Sequence, residues 1–345
     1  DVAAAPERWN RILGANASRV HSHLGSLSDA RWVAQLFERC RFTHVIHLAA
    51  LLTPACQENP GAGFEANLAG SMALFEAARA MQSAKPAQSP KARSKPNRRR
   101  DAIRGFSYAS SVAIFGPEPD HALANASNQQ ERPPTFYGAF KKSLELIAEQ
   151  YWLHFQIPSV GIRPQIAYGP ERTVGLTAAP SIAAKAAAAS QPFTINYRGR
   201  VGYDYVEDIA LAFVRAAFEP REGSHVIDLD GPLATSEEIV EAIEAIAPQA
   251  KGLIRVAGKA IPEHRPPKPH FISSFFSDWK TVGIKEGMRK TIAFYTPSLA
   301  SSSIQDAQPS KRRLRRSSKP LSARDRKSTR LNSSHTVISY AVFCL

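Results

Sequence analysis

The residues with the clearest chemical potential in this sequence are a tyrosine and a lysine four positions apart, Tyr137 and Lys141. Residues four apart on a helix share one face, so these two side chains can meet. A phenol has a pKa of about 10 and is a poor base near neutral pH. A neighbouring ammonium group favours the phenolate and lowers that pKa. Such a pair can take a proton from a carbinol while hydride leaves the same carbon.

Two flanking segments support this interpretation. Upstream, residues 105–111 read Gly-Phe-Ser-Tyr-Ala-Ser-Ser, a predicted strand that ends in hydroxyl side chains. A Ser at that strand end can hydrogen-bond a reacting oxygen. Downstream, residues 159–163 form another predicted strand, which Pro164 closes. The spacing therefore predicts a proton-transfer site at strand ends.

Alternating strands and helices must position these side chains. Short apolar segments alternate with segments of helical period, which predicts an α/β fold with a Rossmann-type doubly wound parallel sheet and right-handed crossovers. The predicted strands are residues 19–24, 43–50, 105–110 and 159–163, and the predicted helices are residues 29–41, 64–81 and 137–155. After Gly169, an Ala-rich helix and several short strands predict a smaller mixed α/β substrate lobe.

The order of these motifs resembles that of the extended short-chain dehydrogenase/reductase family, also called the NAD-dependent epimerase/dehydratase family. The resemblance rests on residues 47–50, 67–71, 108–116, 137–141 and 163–170, and it extends over about residues 1–295. It implies NAD as cofactor, with NADP as the other candidate. It also implies an epimerase or a dehydrogenase that acts on a nucleotide-sugar or a related polyol.

The resemblance implies a role for each matched residue. Tyr137 would be the general base and acid, Ser111 the second catalytic hydroxyl, and Lys141 would hold the nicotinamide ribose and lower the pKa of Tyr137. The residues implied to contact the cofactor are Asp1, Leu48, Ala49, Ala50, Asn67, Tyr137, Lys141 and Pro164. The residues implied to contact the substrate are Ser111, Arg200 and Tyr203, and no metal site is expected.

The sequence departs from the family pattern at several positions. It contains no GxxGxxG turn for the cofactor pyrophosphate, so the first strand and its loop are expected to be missing. Ser26 stands where the family usually has an Asp that holds adenine, and Phe115 stands where it usually has Tyr. Val112 and Ala113 replace the Asp-Glu pair of the dehydratases, which argues against dehydration. The missing turn keeps an alternative open: a catalytically silent nucleotide-binding protein or a nonfunctional gene fragment.

The net charge of +14 is concentrated in two segments. Residues 85–104 contribute +7 and residues 311–345 contribute +9, which leaves the rest of the chain at −2. No aromatic residue lies within the first segment to stack on bases, so a nucleic-acid partner is not expected. Residues 83–104 are predicted to be a basic disordered insertion. Residues 325–345 resemble a translated sequencing adapter and are left out of the fold prediction.

The expected domain organisation has three parts. Residues 1–170 would form a partial dinucleotide-binding Rossmann domain, residues 171–298 mostly a substrate-binding lobe with returning Rossmann elements, and residues 299–345 a disordered tail. Cys40, Cys56 and Cys344 lack paired spacing, and no stretch reaches the ~18 apolar residues of a membrane helix. A cytoplasmic protein with a small-molecule substrate and no membrane partner is expected. The resemblance adds a homodimer formed through the helices after Phe64 and Tyr137.

Overall fold

The computed structural model describes residues 13–83, 102–115, 131–175, 177–261 and 270–305, with side chains up to residue 296. Its main sheet has four parallel strands in the order β1-β2-β3-β7. They are β1 His44–His47, β2 Gly105–Ala109, β3 Ser159–Arg163 and β7 Ser224–Asp228. All five residues of β3 are buried, as expected for a strand covered on both faces. The predicted α/β class with a parallel sheet is therefore confirmed.

Helices cover both faces of this sheet. On one face lie α1 Ala30–Cys40, α4 Gly70–Ser83 and α5 Phe136–Phe155, where Phe75 of α4 stacks on Phe106 of β2 at 4.3 Å between ring centroids. On the other face lie α7 Val206–Phe218 and α9 Ile272–Phe275. Two apolar cores, one on each face, hold the sheet between the helices.

Side-chain caps set the starts of two helices on the first face that the sequence predicted. The Asp29 carboxylate accepts the Trp32 backbone N–H at the start of α1, at 3.0 Å. The Thr135 hydroxyl accepts the Gly138 N–H at the start of α5, at 3.1 Å. Each cap satisfies a backbone donor that has no partner inside its helix. The cap at Thr135 fixes where α5 begins and hence where Tyr137 lies.

The predicted helix over residues 64–81 is interrupted. The structure has α2 Thr53–Glu58, α3 Pro60–Phe64, one π-helical turn at Glu65–Ala69, and then α4. Asn67, inside the π turn, donates from Nδ2 to the carbonyls of Leu51 and Gly63, at 3.2 and 3.0 Å. A π turn of this kind often lies at a functional site. The Asn67 amide joins the turn to the loop that follows β1.

The chain after residue 165 contributes most of a second group of elements. A three-stranded sheet contains β4 Ile166–Tyr168, β6 Arg200–Tyr205 and β8 Leu233–Thr235, with β4 parallel and β8 antiparallel to β6. A two-stranded sheet pairs β5 Phe193–Ile195 with β9 Ile254–Val256. Three helices, α6 Ala179–Ala188, α8 Ser236–Ile246 and α10 Ile284–Gln305, pack on these strands around one apolar core.

Residues 19–24 differ from the prediction. The sequence predicts a strand there, whereas the structure has a 3-10 helix at Gly14–Arg19 followed by irregular backbone over residues 20–26. No described strand pairs with residues 19–24, so no ladder of backbone hydrogen bonds holds them extended. The strand prediction is therefore wrong for this structure.

Several sequence-based predictions concern residues outside the described ranges. They are Asp1, the interior of the basic insertion (residues 84–101), Cys344 and the adapter-like segment 325–345. α10 reaches Gln305, past the predicted end of the lobe at residue 298. Residues 299–305 of the predicted disordered tail are therefore helical, and residues 306–345 lie outside the described ranges.

Candidate active site

One large cavity lies at the carboxyl edge of the parallel sheet. Its volume is about 1090 Å³, and its walls include the residues after β1, β2 and β3 and parts of the second group of elements. Open α/β sheets bind ligands at this edge, because the loops that follow parallel strands meet there. The cavity is therefore the candidate site.

Ser111, Tyr137 and Lys141 all line this cavity. Tyr137 is half-buried in the first turn of α5, and Lys141 lies one turn later with only 1% of its surface exposed. The Lys141 ammonium is 5.6 Å from the centre of the Tyr137 ring and donates to the Ala109 carbonyl at 2.7 Å. Ser111 follows β2 and accepts the Ala113 N–H at 3.1 Å. The structure thus brings the three predicted catalytic side chains together.

A glycine allows this close arrangement. A Cβ atom at Gly138 would lie 2.1 Å from the Ala113 carbonyl oxygen and 2.8 Å from Cβ of Pro133. Any larger residue at this position would push the start of α5 away from the turn that carries Ser111. Gly138 therefore sets the distance between the Tyr137 helix and the Ser111 turn.

The electrostatics differ from the expectation that Lys141 lowers the pKa of Tyr137. Burial raises the pKa of Tyr137, and hydrogen bonding with Ser111 and the charge of Arg172 only partly oppose that effect. Burial also lowers the pKa of Lys141, to about 8. The Lys141 ammonium donates to the Ala109 carbonyl and not to the phenol oxygen, which explains why it does not lower the pKa of Tyr137 as expected. In this structure Tyr137 is a phenol with a weaker tendency to ionise than free tyrosine.

A buried ion network holds the elements that carry the site. Glu145, one turn after Lys141 on α5, accepts the Ser110 hydroxyl at 2.5 Å. Its two carboxylate oxygens accept Nε and Nη2 of Arg163, both at 2.7 Å. Arg163 ends β3 and also contacts Asp228 at the end of β7, at 3.5 Å. The network ties α5, which carries Tyr137 and Lys141, to the carboxyl ends of β2, β3 and β7.

The predicted cofactor residues lie on or close to one wall. Leu48, Ala50 and Pro164 line the cavity, whereas Ala49 packs against the core under α4 and α5. Asn67 is buried behind the wall, and its Oδ1 has no hydrogen-bond partner among the described residues. Asn67 contacts the loop after β1 and not the cavity itself.

The structure does not bring the two further predicted substrate residues to the cavity. Arg200 is on the surface, where it pairs with Glu238 at 3.2 Å. Tyr203 is fully buried, and its hydroxyl lies 3.3 Å from that of Tyr197. Both lie on β6, outside the cavity lining. The substrate contacts that the resemblance implies for them do not fit this placement.

Sequence reasoning missed polar residues that do line the cavity, among them Arg172, Thr177, Asn196, Tyr197 and Lys259. Arg172 and Thr177 follow residues 163–170, one of the segments that resemble the family, by a few residues. That closeness was the sequence signal that could have placed them at the site. The others come from distant loops that only the folded chain brings together. No Asp or Glu of the described residues lines this cavity, whereas Lys141, Arg172 and Lys259 do.

Other kinds of site find no support within the described ranges. No group of three His, Cys, Asp or Glu side chains there could hold a metal ion. Cys40 and Cys56 are free thiols. Among the helices that the structure describes, none has both the length and the apolar character needed to cross a bilayer.

Comparison with known proteins gives a family-level match. The model of the NAD dependent epimerase/dehydratase family matches residues 3–229. A probable UDP-glucuronate 4-epimerase of Rhizobium meliloti (strain 1021) is 29% identical over 179 residues, which are 51% of this chain and 46% of that protein. UDP-glucuronate 4-epimerase 1 of Arabidopsis thaliana is 30% identical over 147 residues, 42% of this chain and 30% of that protein. The chain thus spans less than half the length of these relatives.

A solved structure matches the fold over a longer range. The UDP-glucose 4-epimerase of Thermus thermophilus, in complex with NAD, superposes with a TM-score of 0.56 at 24% identity. The match covers 79% of this chain and 83% of that one. At this level of identity the likeness shows a shared fold.

Proposed function

Since the chain belongs to the NAD dependent epimerase/dehydratase family, we propose that it is an NAD(P)-dependent epimerase or dehydrogenase of a nucleotide-sugar or related polyol. One observation carries the proposal: Ser111, Tyr137 and Lys141 meet in a single cavity at the carboxyl edge of the parallel sheet. The relatives named above as UDP-glucuronate 4-epimerases support the epimerase branch and the nucleotide-sugar substrate.

The residues present fit the nicotinamide end of a dinucleotide. An ammonium group has three N–H donors, and Lys141 uses one of them on the Ala109 carbonyl. Two donors remain for the hydroxyls of a ribose, beside a wall formed by Leu48, Ala50 and Pro164. The sequence contains no glycine-rich turn for a pyrophosphate, so the fit concerns this end alone. When bound, the cofactor would reversibly accept a hydride, and its oxidised nicotinamide would place a positive charge beside the phenol.

The proposed chemistry begins at one carbinol of the substrate. Ser111 hydrogen-bonds the carbinol oxygen and orients its O–H towards Tyr137. Tyr137 takes the hydroxyl proton, the C–H bond breaks with loss of hydride, and a carbonyl forms at that carbon. Only the phenolate form of Tyr137 can take this proton. Because burial raises the pKa of Tyr137, formation of the phenolate needs extra positive charge nearby.

The same residues serve both outcomes of this chemistry. In an epimerase, the keto sugar turns in the cavity and the hydride returns to its other face, so that the proton on Tyr137 goes back to the oxygen. In a dehydrogenase, the ketone leaves. A cavity of about 1090 Å³ has room for a dinucleotide end together with a sugar.

Removal of one phenol oxygen tests the proposal. The full chain carrying Tyr137→Phe should lose at least about 100-fold in turnover of UDP-glucuronate or UDP-glucose with NAD, as expected for loss of a general base. Tyr151→Phe is the matched control, because Tyr151 lies at the far end of α5 and its hydroxyl donates to Glu76 at 2.7 Å. Unchanged turnover in Tyr137→Phe, or an equal loss in both variants, would overturn the proposal.

A further inference from the structure

Asp204 is a buried carboxyl group at the junction between the parallel sheet and the second group of elements. It lies on β6, and only 2% of its surface is exposed. Its Oδ2 accepts the backbone N–H of Gln165, which follows β3, at 2.6 Å. The same side chain accepts the backbone N–H of Gly231, which follows β7. One carboxyl group therefore joins three separate parts of the chain.

The surroundings of Asp204 favour its neutral form. No cation among the described residues pairs with it, and the titratable groups that face it are all acids. They are Asp208 in the first turn of α7, Asp230 in the loop after β7, and the phenol of Tyr168 on β4. Burial raises the pKa of Asp204 to about 7, the two backbone N–H groups partly oppose this rise, and the two neighbouring carboxylates add to it.

The residue that Asp204 holds is part of the cavity wall. Gln165 lines the cavity beside Gly202 of β6, and its Nε2 donates to the Leu229 carbonyl at 3.1 Å. A side chain at position 202 would collide with the Gln165 amide, so this amide lies directly on the β6 backbone. The Asp204 hydrogen bond thus holds the wall against β6 at this point.

This part of the wall is also connected to the turn that carries Ser111. The carbonyl of Pro164, the residue before Gln165, accepts the N–H of Val112 at 3.4 Å. Because Val112 directly follows Ser111, a displacement of Gln165 is passed to the Ser111 turn through this bond.

We propose that Asp204 is a positioning residue: its neutral carboxyl keeps the cavity wall at Gln165 closed on β6, and its ionisation opens that wall. An open wall gives the carboxylate access to water, which stabilises the charged form far more than the neutral form. A solvated Asp has a pKa of about 3.9, and the closed structure raises that value, so the open form is favoured as the pH rises between the two values. The effect on turnover rests on the proposed function, whereas the opening itself does not.

Amide hydrogen exchange of the full chain tests the opening without reference to turnover. Peptides that contain Gln165 and Gly231 are followed by mass spectrometry at pH 6 and pH 8, and the rates are corrected for their ordinary pH dependence. Asp204→Asn keeps the size of the carboxyl group and cannot ionise. Between the two pH values, exchange should accelerate about 10-fold more in the unsubstituted protein than in Asp204→Asn.

Two further variants are matched to this comparison. Asp230→Asn removes a neighbouring negative charge and keeps the Asp204 carboxyl, so it should make the acceleration smaller without abolishing it. Asp278→Asn is the control, because it removes an exposed carboxylate that pairs with Arg215 at 3.0 Å, and it should leave the acceleration unchanged.

Steady-state kinetics with NAD and UDP-glucuronate test the link to the site. From pH 6 to pH 8, the KM of the unsubstituted protein divided by that of Asp204→Asn should rise at least about 3-fold, because a smaller fraction of the protein is closed. The same ratio of kcat values should change less than about 2-fold, since the reacting groups are the same. Division by the variant's values removes the titration of Lys141, which both proteins share.

Each other outcome has a defined meaning. An equal acceleration of exchange in the unsubstituted protein and Asp204→Asn would overturn the proposal, and so would a constant KM ratio or a change confined to kcat. If no variant turns over substrate, the proposed function fails, and amide exchange alone decides the role of Asp204. If circular dichroism melting shows Asp204→Asn to be unfolded, equal accelerations in Asp230→Asn and Asp278→Asn would overturn the proposal.

Discussion

Replacement of Glu145 by Gln probes the buried network that positions α5, the helix that carries Tyr137 and Lys141. The Glu145 side chain is 3% exposed and accepts three hydrogen bonds of 2.5 to 2.7 Å from Ser110 and Arg163. The Gln amide can accept at one oxygen only, and its NH2 group then faces an Arg163 donor. The substitution therefore keeps the shape of the side chain and removes its charge and part of its bonding.

The expected magnitude follows from these contacts. Loss of one partner of a buried ion pair typically costs about 3–5 kcal/mol. Arg163 keeps weaker contacts with Asp228 and Glu131, at 3.5 and 3.4 Å, so the lower end of that range applies. We expect Glu145→Gln to reduce the free energy of unfolding by about 3 kcal/mol.

Equilibrium urea unfolding of the full chain at neutral pH measures this value. Glu149→Gln is the control, because Glu149 is exposed one turn further along α5 and should change stability by less than about 0.5 kcal/mol. A double-mutant cycle with Ser110→Ala should give a coupling energy of about 1 kcal/mol or more. A loss below about 1 kcal/mol in Glu145→Gln, with no coupling to Ser110, would refute the positioning argument.

Three further predictions concern the approach of α5, the acid sensitivity of the core and self-association. Gly138→Ala should lower turnover at least about 10-fold and stability by about 1–3 kcal/mol, because the added Cβ would meet the Ala113 carbonyl. Gly61→Ala is the control: the atom nearest to its added Cβ is 3.5 Å away, so neither turnover nor stability should fall in the same assays. Burial lowers the pKa of His47 to about 3, so the folded state keeps this side chain neutral. The stability that His47 contributes therefore falls as the pH drops below about 6.5, and between pH 6.5 and 5 this contribution should fall by about 2 kcal/mol. Urea titrations over this pH range should show a smaller fall in His47→Gln. Leu146 and Leu153 are 52% and 56% exposed on one face of α5, so we propose that this face is the interface of a homodimer. Leu153→Glu should then give a monomer in analytical ultracentrifugation. An unsubstituted protein that is already monomeric would contradict the proposal.

Local pattern was enough to predict the part of the site that lies on one helix and one strand end. Tyr137 and Lys141 share a face because of helical period alone, and Ser111 follows an apolar strand. Parallel strands place their carboxyl ends together, so the meeting of Ser111 with α5 follows from the fold class. The α/β class itself could be predicted for the same reason.

The features that the sequence did not predict depend on contacts between residues that are distant in the chain. Residues 19–24 have strand character, but a strand forms only beside a partner strand. The π turn depends on Asn67 bonding to carbonyls of Leu51 and Gly63, which periodicity does not encode. The pKa of Tyr137 is set by burial, which a spacing rule ignores.

The substrate contacts show the same limit. The resemblance implies a substrate contact for Arg200, but its side chain pairs with Glu238 at the start of α8, next to the strand pairing of β6 with β8. Arg172 lies just beyond the segment 163–170 and lines the cavity after the turn at residues 170–171 that follows β4. Charged residues on loops can therefore be assigned to a site only once the loops are placed.

Hydride transfer at one substrate carbon is the central claim, and an isotope label at that carbon tests it most directly. The full chain is incubated in ordinary water with NAD and UDP-glucuronate that carries deuterium at C4, and the products are analysed by mass spectrometry and NMR. The account predicts that deuterium is retained, either in the epimerised sugar or on the reduced nicotinamide, and that Tyr137→Phe slows its transfer. Loss of the deuterium to water, which marks removal of a proton from carbon instead of a hydride, would contradict the account.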